Sequence, residues 1–188
     1  MTYLLAGVLM WSLVHLIRCF APGFRETMIG KIGENGWKGV FALLILASLG
    51  LMIFGWRTGD PVTFYQPMGI GRPVGMAIVL LGFIFFGAAQ GQTNIKRLVR
   101  HPQLTGVLLW SIGHLLANGD NLSVVLFTGL GVWASLEIIL ISNREGEWQK
   151  PDALPTSRDI RNVVISLVIF GVAYAAHEWL SGVPLVAF

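Results

Sequence analysis

The amino-acid sequence predicts an all-α protein, a polytopic membrane bundle of about six transmembrane helices. Only 12% of its 188 residues are charged, whereas a soluble domain carries about 25%, and the mean hydropathy is +0.68. Long apolar runs in lipid must be helical, because their backbone polar groups can pair only within the segment. The length suits one integral membrane domain over residues 1–188, with no separate soluble module.

Six apolar segments make up most of the chain. A span takes about 20 residues, within a range of about 17–25, so the first and fourth segments need flanking residues at the membrane surface. The N-terminus lacks the basic region of a signal peptide, and the first segment is therefore expected to remain as a membrane helix. The segments are Tyr3–Ile17, Gly39–Trp56, Pro73–Ala89, Gln103–Asn118, Leu122–Ser142 and Val163–Leu180.

The distribution of basic residues predicts the orientation. Eleven of the thirteen lysines and arginines lie in the loops after the first, third and fifth segments, and only Arg57 and Arg72 lie on the other side. Cytoplasmic loops carry the excess of basic residues in membrane proteins. Both termini are therefore expected on the non-cytoplasmic side. Because the basic residues follow one side of the membrane, nucleic-acid binding is not expected.

Two loops are long enough to have a role. The loop Arg57–Arg72 is rich in glycine, proline and aromatic residues, which predicts a non-helical segment over the outer face. The loop Asn143–Asp159 mixes both signs of charge with two prolines and is expected to be a solvated linker. The single cysteine, Cys19, excludes an internal disulfide and a CxxCH haem-attachment motif.

Histidines inside the apolar segments are the first candidates for function, because ionisable groups at membrane depth are costly. His15 lies in the first segment and His114 in the fourth. Two histidines on separate helices can hold a haem iron. Trp11 and Trp110 each precede one of them by four residues, and so share its helical face. The alternative is that each histidine makes a hydrogen bond to a neighbouring helix.

Three further ionisable residues have weaker signals. Glu137 lies in the fifth segment and is expected to be paired, protonated or at the interface. It could hold the second nitrogen of a ligand histidine, or pair with an interfacial Arg or Lys. His177 lies beside Glu178 near the outer end, which favours an interfacial role, and His101 lies among arginines at the basic interface.

Three motifs carry a family resemblance. They are His15 in Leu13-Val14-His15-Leu16, the segment Ile32-Gly33-Glu34, and Arg100-His101-Pro102 followed by Gly106, Trp110 and His114-Leu115-Leu116-Ala117-Asn118-Gly119. In these motifs the chain resembles the NnrU family of bacterial membrane proteins over nearly its full length. The resemblance implies the bacterial inner (cytoplasmic) membrane and an association with denitrification and nitric-oxide metabolism.

The NnrU family is also similar to zeta-carotene isomerase, a membrane haem b protein of plants and cyanobacteria. That similarity implies haem b as cofactor, His15 and His114 as its axial ligands, and redox or isomerase-like chemistry on an apolar or gaseous substrate. The isomerase has a cysteine three residues before its second histidine, proposed as an alternative ligand. Ser111 stands there in this chain, and a serine does not replace a thiolate on iron.

The Arg-His-Pro-x-x-x-Gly motif supports a competing enzyme class. It resembles the membrane methyltransferases of the isoprenylcysteine and phospholipid types, in which it helps to hold S-adenosylmethionine. This resemblance implies Arg100 and His101 as cofactor-binding residues, assisted by Arg144-Glu145-Gly146-Glu147. Those enzymes usually have an aromatic residue two positions after the proline, where this chain has Leu104.

Two non-catalytic interpretations remain open. Arg-His-Pro could be a structural corner, because proline is tolerated in the first turn of a helix and arginine can anchor to lipid phosphate. The whole chain could also be a non-enzymatic membrane scaffold, with membrane lipid as its main partner.

Overall fold

The computed structural model describes residues 1–183 and 185, and within that range the protein is all-helical apart from one isolated bridge between Thr63 and Asp120. This confirms the predicted all-α class. The helices are α1 (Thr2–Phe20), α2 (Pro22–Thr58), α3 (Gly71–Gln90), a short 3₁₀ helix (Asn94–Arg97), α4 (Pro102–Ala117), α5 (Asn121–Glu145), α6 (Ser157–Ala175) and α7 (His177–Ser181).

Two predicted segments differ from the helices that contain them. The second helix begins at Pro22 rather than near Gly39, because proline fits the first turn and the polar stretch after it continues as helix. Gly33, with φ of 75°, interrupts this helix, and that conformation suits a residue without a Cβ. The sixth segment is divided at Ala176, where α6 ends before the separate short helix α7.

Four helices in the described part of the chain are long and apolar enough to cross a membrane, namely α1, α2, α3 and α5. The other two predicted spans lie on helices that fall short of this criterion. α4 has 16 residues, which corresponds to about 24 Å against an apolar thickness of about 30 Å. α6 begins with Arg158, Asp159 and Arg161 in its first turns. The structure thus supports a membrane protein with four such helices.

The exposed surface of these helices is itself apolar. Only 17–28% of the most apolar window of each spanning helix is buried inside the protein. Leucines, isoleucines, valines and phenylalanines point outward along their lengths, among them Leu13, Leu43 and Leu46 at 63–67% exposure. A water-soluble protein rarely exposes continuous apolar surface of this extent, so this surface is suited to lipid.

Neighbouring helices pack in the order α2–α1–α5–α4–α3–α6. Consequently α5 lies between α1 and α4, which carry the two candidate histidines. The short helix α7 contacts α2, at the opposite end of this order from α6. There the indole nitrogen of Trp56 on α2 donates to the carbonyl of Ser181 at 2.8 Å. We call the side at which α1, α3 and α5 end the basic side, because eleven lysines and arginines lie there.

The closest helix pair is α3 with α4, and glycines set its spacing. A Cβ added to Gly82 would lie 2.8 Å from the Gly106 carbonyl oxygen, and one added to Gly106 would lie 2.7 Å from the Gly82 carbonyl oxygen. Gly75 and Gly113 make the same reciprocal approach farther along. This close approach follows the small-residue packing of membrane helices.

Residues 59–70 form a strap across the end of α4 that faces away from the basic side. The backbone N–H groups of Phe64 and Tyr65 donate to the Gly119 carbonyl at 2.7 and 2.9 Å. The Tyr65 hydroxyl donates to the carbonyls of Leu115 and Asn118. The predicted non-helical character of the loop is confirmed over residues 59–70, and the strap holds the connection between α4 and α5.

Candidate functional site

The environment of His15 is built from aromatic rings on three helices. Its ring centroid lies 4.5 Å from that of Trp11 on α1, 4.8 Å from Trp133 on α5 and 5.4 Å from Phe41 on α2. Its Nδ1 is 2.9 Å from the backbone carbonyl oxygen of Trp11. The tryptophan four residues earlier therefore both packs against this imidazole and fixes its orientation.

The environment of His114 repeats this arrangement on α4. Its ring stacks on Phe127 of α5 at 4.4 Å and lies 4.8 Å from Trp110. Its Nδ1 is 2.8 Å from the carbonyl oxygen of Trp110. Asn118, one turn later, donates its side-chain amide to the His114 carbonyl at 3.0 Å. The two Trp-x-x-x-His motifs thus have the same local geometry.

The hydrogen bond at Nδ1 determines which nitrogen can bind a ligand. A carbonyl oxygen only accepts, so Nδ1 of His15 and of His114 must carry the proton. In a neutral imidazole Nε2 then holds a free lone pair. Neither Nε2 makes a hydrogen bond within the described residues. Both rings are therefore oriented as metal-ligand histidines usually are, with the second nitrogen held by a carbonyl.

The helix α5 separates the two histidines. His15 packs against Trp133 and His114 packs against Phe127, and these two positions differ by six residues, or about 9 Å along the helix axis. The two imidazoles face α5 from α1 on one side and α4 on the other. Both imidazoles therefore pack against α5, but their rings do not contact each other.

A third histidine, His177, lies closer to His114 than the sequence indicates. Its ring centroid is 6.4 Å from that of His114, with the planes 19° apart. Its Nδ1 is 3.0 Å from the Val183 carbonyl oxygen, and by the same reasoning its Nε2 has a lone pair with no partner among the described residues. The sequence predicts an interfacial role for His177 and misses this approach. The helix break at Ala176, which turns α7 towards α4, has no strong sequence signal.

Two buried indole N–H groups lie near His15. The Nε1 atoms of Trp11 and Trp133 and Oε1 of Glu137 make no hydrogen bond of good geometry in the described range, although the Trp133 indole is close enough to the Glu137 carboxyl to interact with it. Glu137 is only 6% exposed and follows Trp133 by one helical turn. A buried polar group without a partner costs about 1–3 kcal/mol, so unsatisfied groups concentrated here indicate a place for a polar ligand atom.

The sequence suggests that Glu137 could hold the second nitrogen of a ligand histidine. In the structure the backbone carbonyl of Trp11 binds Nδ1 of His15 instead. Glu137 instead lies towards the basic side. There the guanidinium of Arg144 reaches the Arg18 carbonyl at 3.5 Å, which joins the ends of α5 and α1. Glu137 is thus a buried acid beside the aromatic cluster rather than a partner of the imidazole.

Arg100 and His101 form a corner at the start of α4. Arg100 donates to the Gly146 carbonyl at 2.7 Å and pairs with the Glu145 carboxylate at 3.1 Å. The Nε2 atom of His101 lies 3.0 Å from the Ser142 hydroxyl. The two residues therefore join the start of α4 to the end of α5. In a methyltransferase Arg100 and Glu145 would bind the cofactor, whereas in this structure they bind each other.

Burial shifts the pKa of two groups outside the spans. Burial lowers the pKa of His101 below its ordinary range, while the Glu145 carboxylate partly opposes the shift. Burial raises the pKa of the Tyr65 hydroxyl, and the charge of Asp120 adds to the rise. Both groups are therefore held neutral, His101 in the corner and Tyr65 in the strap, where each makes its hydrogen bonds.

Fold and site together define an integral membrane helix bundle with paired tryptophan–histidine motifs on α1 and α4. The family model described as NnrU protein matches residues 3–185. The chain therefore belongs to the NnrU family, as its motifs predict. No curated protein and no solved structure matches the chain significantly.

Proposed function

We propose that this protein is a haem b-binding membrane protein in which His15 and His114 supply the axial nitrogens. The observation that carries the proposal is the repeated geometry of the two Trp-x-x-x-His motifs. In each, Nδ1 is held by the carbonyl of the preceding tryptophan, and Nε2 is left free for a metal.

The surroundings of the two histidines suit an apolar macrocycle that carries charged groups. Phe41, Phe127, Trp110 and Trp133 provide flat aromatic surface around the imidazoles. The unpaired indole N–H groups described above can donate to a carboxylate of the bound group. When bound, haem supplies one-electron redox chemistry, and burial and hydrogen bonding by the protein would tune it.

An absorption spectrum of the detergent-purified protein tests the proposal, recorded oxidised and after reduction with dithionite. We expect a Soret band and sharp reduced α and β bands, both strongly weakened in His15→Ala and in His114→Ala. His101→Asn is the matched control, because its ring bonds Ser142 in the corner at the start of α4. This variant should retain the full spectrum.

His177→Ala distinguishes between two ligand pairs. If His15 and His114 bind the iron, the His177 variant keeps its spectrum. Loss of the bands in the His114 and His177 variants, with the His15 variant unchanged, would instead assign the iron to the two rings that lie 6.4 Å apart. A protein that stays colourless after expression with added haem would refute the haem proposal.

The membrane setting is part of the same proposal. We place the protein in the bacterial inner membrane, with six spans, the basic side in the cytoplasm and both termini outside. Its proposed role is in nitrogen-oxide metabolism. The distribution of eleven basic residues on one side supports the orientation. Cysteine scanning tests the orientation. Single cysteines are introduced at position 3 and in the strap of a Cys19→Ser variant and are labelled with a membrane-impermeant thiol reagent.

S-adenosylmethionine-dependent methylation is the alternative to test if haem is absent. Arg100 and Glu145 are both present at the predicted corner, but they pair with each other. Binding of S-adenosylmethionine by calorimetry, abolished in Arg100→Gln, would support that alternative. No binding by a colourless protein would leave the scaffold as the remaining candidate.

A further inference from the structure

A pocket between α3 and α6 on the basic side is separate from the histidines. Its volume is about 410 Å³, within the range of small-molecule sites, about 300–1,000 Å³. One wall of the pocket is apolar and consists of Phe83, Phe86, Ile165 and Ile169. Ile165 and Phe86 are also 49% and 43% exposed, so this wall continues into the surface that faces lipid.

Two buried hydroxyl groups line the same pocket without a partner. Thr93 and Ser166 are 3% and 2% exposed, and their hydroxyl oxygens make no hydrogen bond within the described part of the chain. A Cβ added to Gly87 would lie 2.6 Å from the Ser166 hydroxyl, so this hydroxyl packs directly against the backbone of the glycine. Two donors are thus buried where a ligand acceptor could satisfy them.

Two arginines at the mouth of the pocket are also free. Arg158 and Arg161 line it and are exposed. Among the described residues, the ion pairs are Lys38–Glu34 and Arg100–Glu145, and neither includes these arginines. The acid between them, Asp159, instead accepts from the backbone and side-chain amides of Asn94 at 2.7 and 2.6 Å. Two guanidinium groups against this one carboxylate leave the mouth with a net positive charge.

The frame of the pocket is fixed by hydrogen bonds. On α6, Asn162 donates its side-chain amide to the Ile84 carbonyl on α3 at 3.0 Å. Asn94 also donates to the Leu154 carbonyl at 2.8 Å and accepts from the Leu154 N–H at 2.8 Å. The predicted linker before α6 is therefore tethered at this point, and the pocket is formed before any ligand arrives.

We propose that this pocket binds the headgroup phosphate of an anionic phospholipid. Arginine pairs with phosphate through charge-assisted hydrogen bonds, and the buried hydroxyls donate to the remaining phosphate oxygens. The acyl chains lie on the apolar wall, which is continuous with the lipid-facing surface. A free phosphate ion would leave that wall unused, whereas an amphipathic lipid matches both parts.

Native mass spectrometry of delipidated protein with added phosphatidylglycerol or phosphatidylcholine tests this site. We expect wild type to retain phosphatidylglycerol in preference, and Arg158→Gln/Arg161→Gln to retain at least tenfold less, since the loss of one charge-assisted hydrogen bond already lowers affinity by about that factor. Arg57→Gln/Arg72→Gln is the matched control, because it removes the same charge from the other side and should behave as wild type.

A second variant, Thr93→Val/Ser166→Ala, changes no charge and should also reduce retention of phosphatidylglycerol. Equal loss in the two double-arginine variants, or equal retention of both lipids, would overturn the proposal in favour of non-specific surface binding. Displacement of the lipid by millimolar inorganic phosphate, with equal thermal stabilisation by phosphate alone, would overturn it in favour of a free-phosphate site.

Discussion

The interface between α3 and α4 and the aromatic cluster on α5 represent two kinds of helix packing. Between α3 and α4 the backbones meet at glycines such as Gly82 and Gly106, and there is no room for a further atom. Around the two candidate histidines the space beside α5 is filled by large rings, and the buried Nε1 atoms of Trp11 and Trp133 make no hydrogen bond of good geometry within the described residues. The first interface is complete by itself, whereas the second has unsatisfied groups at which a ligand could bind.

The largest effect on stability is expected from breaking the complete interface. Gly106→Ala places a Cβ 2.7 Å from the Gly82 carbonyl oxygen and 2.9 Å from the Phe86 amide nitrogen. Both neighbours are backbone atoms, so the helices must move apart, which costs about 1–3 kcal/mol of unfolding free energy. Thermal unfolding in detergent, followed by tryptophan fluorescence, measures the loss.

Gly50→Ala is the control for that comparison. Gly50 lies on α2, and a Cβ added there would have nothing within 4 Å. Alanine is the better helix former by about 1 kcal/mol, so this variant should equal or exceed wild type in stability. If both variants lost stability equally, the close contact between α3 and α4 would not be the cause.

A smaller effect is expected where the strap meets α4. Tyr65→Phe removes the hydroxyl that donates to the Leu115 and Asn118 carbonyls, and one lost hydrogen bond typically costs about 1 kcal/mol. Tyr174→Phe is the matched control, because Tyr174 is 41% exposed. An unchanged midpoint in Tyr65→Phe would show that the strap does not depend on this hydroxyl.

The smallest effect is a dependence on pH at the corner at the start of α4. Burial lowers the pKa of His101 in the folded protein, so the folded state binds its proton less readily than the unfolded chain does. The stabilising contribution of neutral His101 is therefore fully present above the ordinary pKa of about 6.5. It is lost as the pH falls towards and through the lower pKa of His101 in the folded protein.

His101→Asn removes this titration. Between about pH 7 and pH 5, around the ordinary histidine pKa, wild type should lose more stability than the variant. Comparing the two slopes removes the contributions of the other histidines, which both proteins share. Parallel slopes would contradict the assignment of this pH dependence to His101.

The sequence predicts which segments are helical better than it predicts where each helix begins and ends. Long apolar runs place all six segments on helices, because burial in lipid requires internal backbone pairing. The early start of α2 is missed because Arg25, Lys31 and Lys38 suggest a loop, although Pro22 is itself a helix-start signal. The extent of a helix beyond its apolar part depends on such local signals rather than on hydropathy.

The candidate site is predictable only in part, for a related reason. The spacing Trp11–His15 and Trp110–His114 is visible in the sequence and gives the two equivalent environments on the helices. The approach of His177 to His114 depends on how α7 turns after Ala176. The partner of the strap is a backbone carbonyl at Gly119, which any residue supplies, so no side-chain pattern indicates it.

The strap also imposes an order of assembly. The carbonyl that holds it belongs to Gly119, so those hydrogen bonds cannot form until the chain has been synthesised beyond α4. Tyr65, made some fifty residues earlier, must wait with its hydroxyl unpaired. The end of α4 that faces away from the basic side, with His114 one turn from Asn118, therefore cannot be held by the strap until α4 itself has been synthesised.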